Sequence, residues 1–293
     1  MHLSMSTVST ERCRTADGII YRPLDGIRLC AEAGFRHIDF NFTHAPKENR
    51  PFAGENWESW VSQVRDTCAE YGVTVGQTHA YWFWLKDMTS REHWEWSEAM
   101  VRRSLAATAM LAPGGWMVTH PRTVFDAEGF NREKTLEYNY ARCSELGELA
   151  RKHGVGIAIE NLFPLPEKIA YCAQPEELLE LLDRLHDPVF GICWDFGHAN
   201  MAKLDHLRAL ELVTPHLKVT HIHDNKGKGD DHFPPSFGNI PWNTVMPVLK
   251  RLGYKGNLNL EVSTYNTIPA LIPDALRFMH AAGSELVRMF EKG

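Results

Sequence analysis

The sequence predicts an α/β chain closed into a single (β/α)8 barrel, and three observations carry the prediction. Four segments, AEAGFRHIDF, AEYGVTVGQT, ARKHGVGIAIE and KRLGYKGNLNLE, each run from a polar helix end through glycine into a short apolar stretch. Those glycines (Gly34, Gly72, Gly154, Gly253) suit the left-handed position just past a helix. The apolar stretches alternate with amphipathic segments, the pattern of βαβ units around a parallel sheet. They also end on an acid or a histidine at intervals of 26 to 41 residues: Asp39, His79, His120, Glu160, Asp195, His221 and Glu261. A barrel gathers its strand ends on one rim. An open doubly wound sheet would scatter them along an edge, and usually carries a Gly-rich first turn that this sequence lacks.

Taken in order, residues 1–15 read as a flexible extension, followed by a weak first strand at 18–23 in GIIYRP. The second strand is expected at 36–42. Trp57, Val61, Val64, Cys68 and Tyr71 then step by four, three, four and three, which places them on one helix face. Strands at 74–79 and 116–120 follow, and the amphipathic stretch TLEYNYARCSELGELA leads to a strand at 156–160. EELLELLDRL precedes a strand at 190–195, and strands at 218–223 and 257–262 bring the number to eight. The 293 residues suit one barrel of about 250 residues with trimmings, and no Pro/Gly/Ser-rich linker divides them. A single domain over 1–293 is the expectation.

Composition narrows the function classes. A formal charge of -6 with no Lys/Arg run beyond two residues lacks the basic stripe by which nucleic-acid binders neutralise phosphates. The six cysteines stand apart without a CxxC pair, and MHLSMSTVSTERCRT has no secretory pattern, so reduced thiols and a cytoplasmic setting are expected. No apolar run approaches the roughly 20 residues of a membrane span.

The rim carries the chemistry. A ring of carboxylates and imidazoles without matching Arg or Lys repels itself unless a cation sits inside, and Asp/Glu/His is the ligand set of Mn²⁺, Mg²⁺, Zn²⁺, Fe²⁺ or Co²⁺. The best four ligands are Glu160, Asp195, His221 and Glu261, each from a different strand. Singly, such an acid is ordinarily a helix N-cap, and such a histidine a hydrogen-bonded wall residue. Their joint occurrence at barrel spacing points to a site. Asp195 and His198 stand three apart in CWDFGHAN, as His221 and Asp224 do in HIHD, where Asp224 is expected to orient the His221 ring. His223 shares strand parity with His221. Tyr81, Trp82, Phe83, Trp84, Trp94 and Trp96 follow the rim residue His79, which places an aromatic wall near the mouth.

IAIENL, CWDFGHAN, THIHDN and LNLEVS resemble the metal-binding strand ends of the xylose-isomerase-like TIM-barrel superfamily, over about residues 25 to 280. That resemblance implies one divalent metal, Mn²⁺ foremost, and a carbohydrate or keto-sugar substrate. It also implies that Glu160 and Glu261 both bind metal and move protons, with His120 as a further catalytic group. His79, His198, His223, Asp230, His232, Trp82 and Trp84 would contact substrate. The outcome would be isomerisation, epimerisation, or a lyase step such as loss of an aromatic aglycone from a keto-glycoside. No nucleic acid or membrane partner is expected, and a homo-oligomer or partner subunit is. Endonuclease IV, a phosphodiesterase of the same superfamily, is the rival resemblance. His79 in QTHAYW, His120 in VTHPR and the Asp230-x-His232 pair in GDDHF match its additional zinc ligands. FPPSFGNIPW, however, replaces its Gly-rich turn, and AYWFWLKDMTSREHWEWSEAM its polar loop. A barrel that only binds carbohydrate or a subunit is the third reading.

Overall fold

The computed structural model describes residues 1–11, 22–43, 45, 51–83, 90–164, 169–265 and 267–293. Eight parallel strands form the barrel: β1 (Leu3–Ser6), β2 (His37–Asn41), β3 (Thr74–His79), β4 (Trp116–Thr119), β5 (Gly156–Glu160), β6 (Phe190–Asp195), β7 (Leu217–His221) and β8 (Leu258–Leu260). They pair in sequence from β1 to β7, and β1 also pairs with β8 through Leu3–Leu258 and Met5–Leu260. A bridge just past β7 brings the sheet round: Ile222 N donates to Asn259 O at 2.8 Å and Glu261 N to Ile222 O at 3.0 Å. The main helices among the described residues are α1 (Pro23–Glu32), α2 (Trp57–Glu70), α3 (Arg91–Leu111), α4 (Arg132–His153), α5 (Pro175–Leu185), α6 (His206–Val213), α7 (Trp242–Arg251) and, after the last strand, α8 (Ile272–Lys292).

Helix ends behave as the glycines predict. Gly154 sits at φ 67° past α4, where its amide reaches back to the Ala150 and Arg151 carbonyls, and Gly34, Gly72 and Gly253 also have positive φ. The last seven strands lie within two residues of their expected bounds. The first does not. Residues 18–21 lie outside the described residues, Arg22 caps α1 and Pro23 opens it, while Leu3–Ser6 supplies β1. Part of the expected flexible extension is thus a barrel strand. LSMS escaped notice because it is four residues long with two serines, which gives too little apolar signal. Its burial is nonetheless complete at Ser4, Met5 and Ser6.

Strand parity separates two cores. On β6, Ile192 and Trp194 are fully buried in the large cluster between strands and helices, while Cys193 faces the barrel axis with Val118, Ala158 and Val219. Each large side chain buried in the outer layer contributes about 1.5–3 kcal/mol. The inner set lies two residues before His120, Glu160, Asp195 and His221, so it forms an apolar floor beneath those groups. Trp116 packs under that floor, and Gly156 admits it, since a Cβ there would lie 2.3 Å from the indole.

His206, the first residue of α6, is buried with neither ring nitrogen hydrogen-bonded among the described residues, and its ring stacks on Phe196 at 6.3 Å. Burial lowers its pKa to about 4. With the unfolded value near 6.5, the neutral ring favours the folded state above pH 6.5, and that advantage is lost as pH falls toward 4. The loss is on the order of 3 kcal/mol. Denaturant titrations at pH 7 and pH 4.5 are expected to show a smaller acid loss in His206→Phe than in the parent; equal losses would discount the effect.

Candidate metal centre

The four expected ligands meet. Glu160, Asp195 and His221 are the last residues of β5, β6 and β7, and Glu261 follows β8 directly. Their ligand atoms all lie within 4.8 Å of one another, and every one of the four is buried. His221 Nδ1 stands 2.9 Å from Glu160 Oε1, 3.4 Å from Glu261 Oε2 and 4.0 Å from Asp195 Oδ2. Asp195 does two jobs. Oδ1 caps the short helix Phe196–Met201 by accepting from His198 N at 2.6 Å, and Oδ2 faces the cluster with no hydrogen-bond donor among the described residues. Asn161 clamps the same residue, accepting from Asp195 N and donating to Asp195 O. Asn161 lies outside the expected site residues, and the Glu-Asn pair in IAIENL is the signal that marks it.

Electrostatics explains what the cluster wants. Burial alone would raise the Glu160 pKa, yet His221 and His120 hold it well below the usual carboxylate range. Burial works against charge on His221, but the anionic groups around it, Glu160 and Glu261 among them, push its pKa well above the ordinary value. Among the described residues, the ion-pairing partners of these three carboxylates are all histidines. The nearby guanidinium of Arg142 goes to Glu98 instead, with Nε 3.0 Å from the carboxylate. Three buried carboxylates around one imidazole keep net negative charge even with the ring protonated. A divalent cation would neutralise them, and the all-O/N donor set fits one.

Other expected residues line the same rim. His120 Nε2 lies 2.7 Å from Glu160 Oε2 and 3.3 Å from His79 Nε2, while His79 Nδ1 donates to Ala80 O at 2.8 Å. His198 Nδ1 donates to Asn161 O at 2.8 Å, which leaves Nε2 toward Asp230, 3.9 Å away. His232 bonds Asp230 Oδ2 at 3.0 Å through Nε2 and stacks on His223 at 3.9 Å. His223 Nε2 approaches Asp195 Oδ1 at 3.1 Å without hydrogen-bond geometry. Further sets of donor atoms surround the first, among them His79, His120 and Glu160, which share Glu160 with it, and His223, Asp230 and His232, which lie outside it. Trp82 meets His120 edge-on at 5.8 Å; Trp84 lies outside the described residues. Phe163, unforeseen from sequence, sits 4.7 Å from the His198 ring and gives the mouth a second aromatic wall.

One expectation is corrected. Asp224 does not orient His221. Three residues along an extended chain reverse the side-chain direction, and Asp224 instead accepts from Asn225 N, Ser236 N, Ile240 N and Trp242 Nε1. It pins the loop after β7. The acceptor at His221 Nε2 is Asp39 Oδ2, at 3.2 Å.

The model of the family described as "Xylose isomerase-like TIM barrel" matches residues 27–282. Among solved structures, a D-tagatose 3-epimerase-like protein superposes with TM-score 0.73 at 21% identity, over 100% of this chain and 99% of that one. The 3-keto-D-glucoside 4-epimerase YcjR of E. coli gives 0.72 at 17% identity over 97% and 99%. The IolI protein with a bound zinc atom gives 0.74 at 14% over 99% of each chain. The uncharacterized protein MJ1311 of Methanocaldococcus jannaschii is 30% identical over 147 residues, which span half of each chain.

Proposed function

The chain belongs to the xylose isomerase-like TIM-barrel family, and we propose that within it the protein is a divalent-metal-dependent carbohydrate epimerase or isomerase acting beside a carbonyl. The observation that carries this reading is the buried quartet of Glu160, Asp195, His221 and Glu261 at a barrel's strand ends. A bound ion would supply Lewis-acid stabilisation for the enediolate that proton removal leaves. The chain's own groups do the rest. Glu160 presents Oε1 to the quartet and Oε2 to His120, so a proton taken at Glu160 can be shared with a neighbouring imidazole. Burial lowers the His120 pKa, which favours the neutral ring as a hydrogen-bond partner of Glu160. Glu261, across the quartet, is the partner for return of the proton. His198 and Asp230 are placed to bind a substrate hydroxyl, and Trp82 and Phe163 to flank the sugar or an attached aromatic group. Where the carbon beside the abstracted proton carries a leaving group, the same set performs an elimination, and keto-glycosides with aromatic aglycones belong in the substrate screen. YcjR, by its name, acts on a keto-glucoside.

The further donor sets favour one second reading, a three-metal phosphodiesterase. Elemental analysis of protein purified without chelator separates the two. One Mn, Mg, Fe, Co or Zn per chain is expected. A ratio near three, with zinc dominant, would instead move abasic-site DNA to the head of the assays.

A further inference from the structure

We infer that Asp39, at the opposite side of the barrel in sequence, is the positioning residue that selects the ligating form of His221. The inference rests on the metal reading above. His221 turns Nδ1 toward three carboxylates and Nε2 toward Asp39. An imidazole that offers the Nδ1 lone pair to an ion must keep its proton on Nε2, and a fully buried N–H needs an acceptor. Asp39 Oδ2 is that acceptor at 3.2 Å. The oxygen is itself held: Gln77 Nε2 donates to it at 3.3 Å and Asn259 Nδ2 at 3.1 Å. Three donors from β3, β7 and the β8 side converge on one atom of a residue that is 0% exposed. The carboxylate therefore cannot swing away, and the ring is fixed in both tautomer and direction. Asp39 stands behind His221 from the other ligands and acts only through it. Carboxylate acceptors of this kind raise the basicity of the ligating nitrogen, and losing one costs about 10–100-fold in metal affinity.

The test measures Mn²⁺ and Co²⁺ dissociation constants by chelator competition, together with the visible spectrum of the Co²⁺-loaded protein. In Asp39→Asn the amide oxygen takes the place of Oδ2 among the three donors, so the hydrogen bond survives without the charge. Affinity is expected to fall several-fold. In Asp39→Ala the acceptor is gone, the fall is about 10–100-fold, and the Co²⁺ bands shift because the ring is free to turn. Folded variants with the parent's constants and spectrum overturn the inference and reduce Asp39 to a structural group. If the Ala variant does not fold, the isosteric Asn variant decides alone. Parent protein that competes for neither ion overturns the metal reading and this inference with it; tight parent binding with unaltered variants overturns the inference only.

Discussion

Glu160→Gln is expected to lower turnover of a keto-sugar substrate by about 10²–10⁴-fold, the usual contribution of a positioned general acid or base, while the circular dichroism of the barrel stays unchanged. The amide matches the carboxylate in volume, so the apolar floor of Val118, Ala158, Cys193 and Val219 is undisturbed. Its chemistry is a mismatch on both sides. Glu160 meets His221 Nδ1 at 2.9 Å through one oxygen and His120 Nε2 at 2.7 Å through the other. The amide has one acceptor oxygen where the carboxylate has two, and it carries no charge with which to hold an ion or take a proton. The variant also removes a negative charge from the quartet, so bound metal should fall with turnover. Steady-state rates beside elemental analysis check both; a variant that keeps the parent's rate removes Glu160 from the mechanism.

Stripping the metal should lower the melting temperature by roughly 10 °C. Without a cation, the buried Glu160, Asp195 and Glu261 crowd one imidazole. An ion held at a thousand times its dissociation constant stabilises the fold by about 4 kcal/mol, and a chain of this size moves by about 2–4 °C per kcal/mol. Scanning calorimetry before and after chelation, with Mn²⁺ restored in a third run, gives the shift. Identical melting in all three runs would sink the idea that the quartet is a metal site.

What could be read from the sequence follows from what a linear pattern can hold. Six of the seven expected strand ends were legible because each is a local event: an apolar run, a polar stop, a fixed interval; Asp39 instead sits in the middle of β2, which runs on to Asn41. The quartet was legible for the same reason, since its members are four of those stops. The partner of Asp39 was not visible, because Asp39 lies 182 residues from His221 and only barrel closure brings them together. Asp224 was misread for the complementary reason. It is close in sequence, and side-chain direction along the extended chain outweighed proximity. β1 was missed because Ser4 and Ser6, aligned with β2 at His37 and Asp39, face the axis, where small polar residues fit. GIIYRP looked more strand-like by composition than the strand itself.

The pairing of β1 with β8 also bears on how the chain is made. Leu3 meets Leu258, so the seam joins nearly the two ends of the barrel. Contacts that distant are the slowest to form, because loop closure must precede any reward. On the ribosome, β1 has β2 beside it early, yet its other edge stays open until the strand at 258–260 has emerged. During that interval the nascent chain carries an unpaired edge, the kind of surface that attracts chaperones or a neighbouring chain.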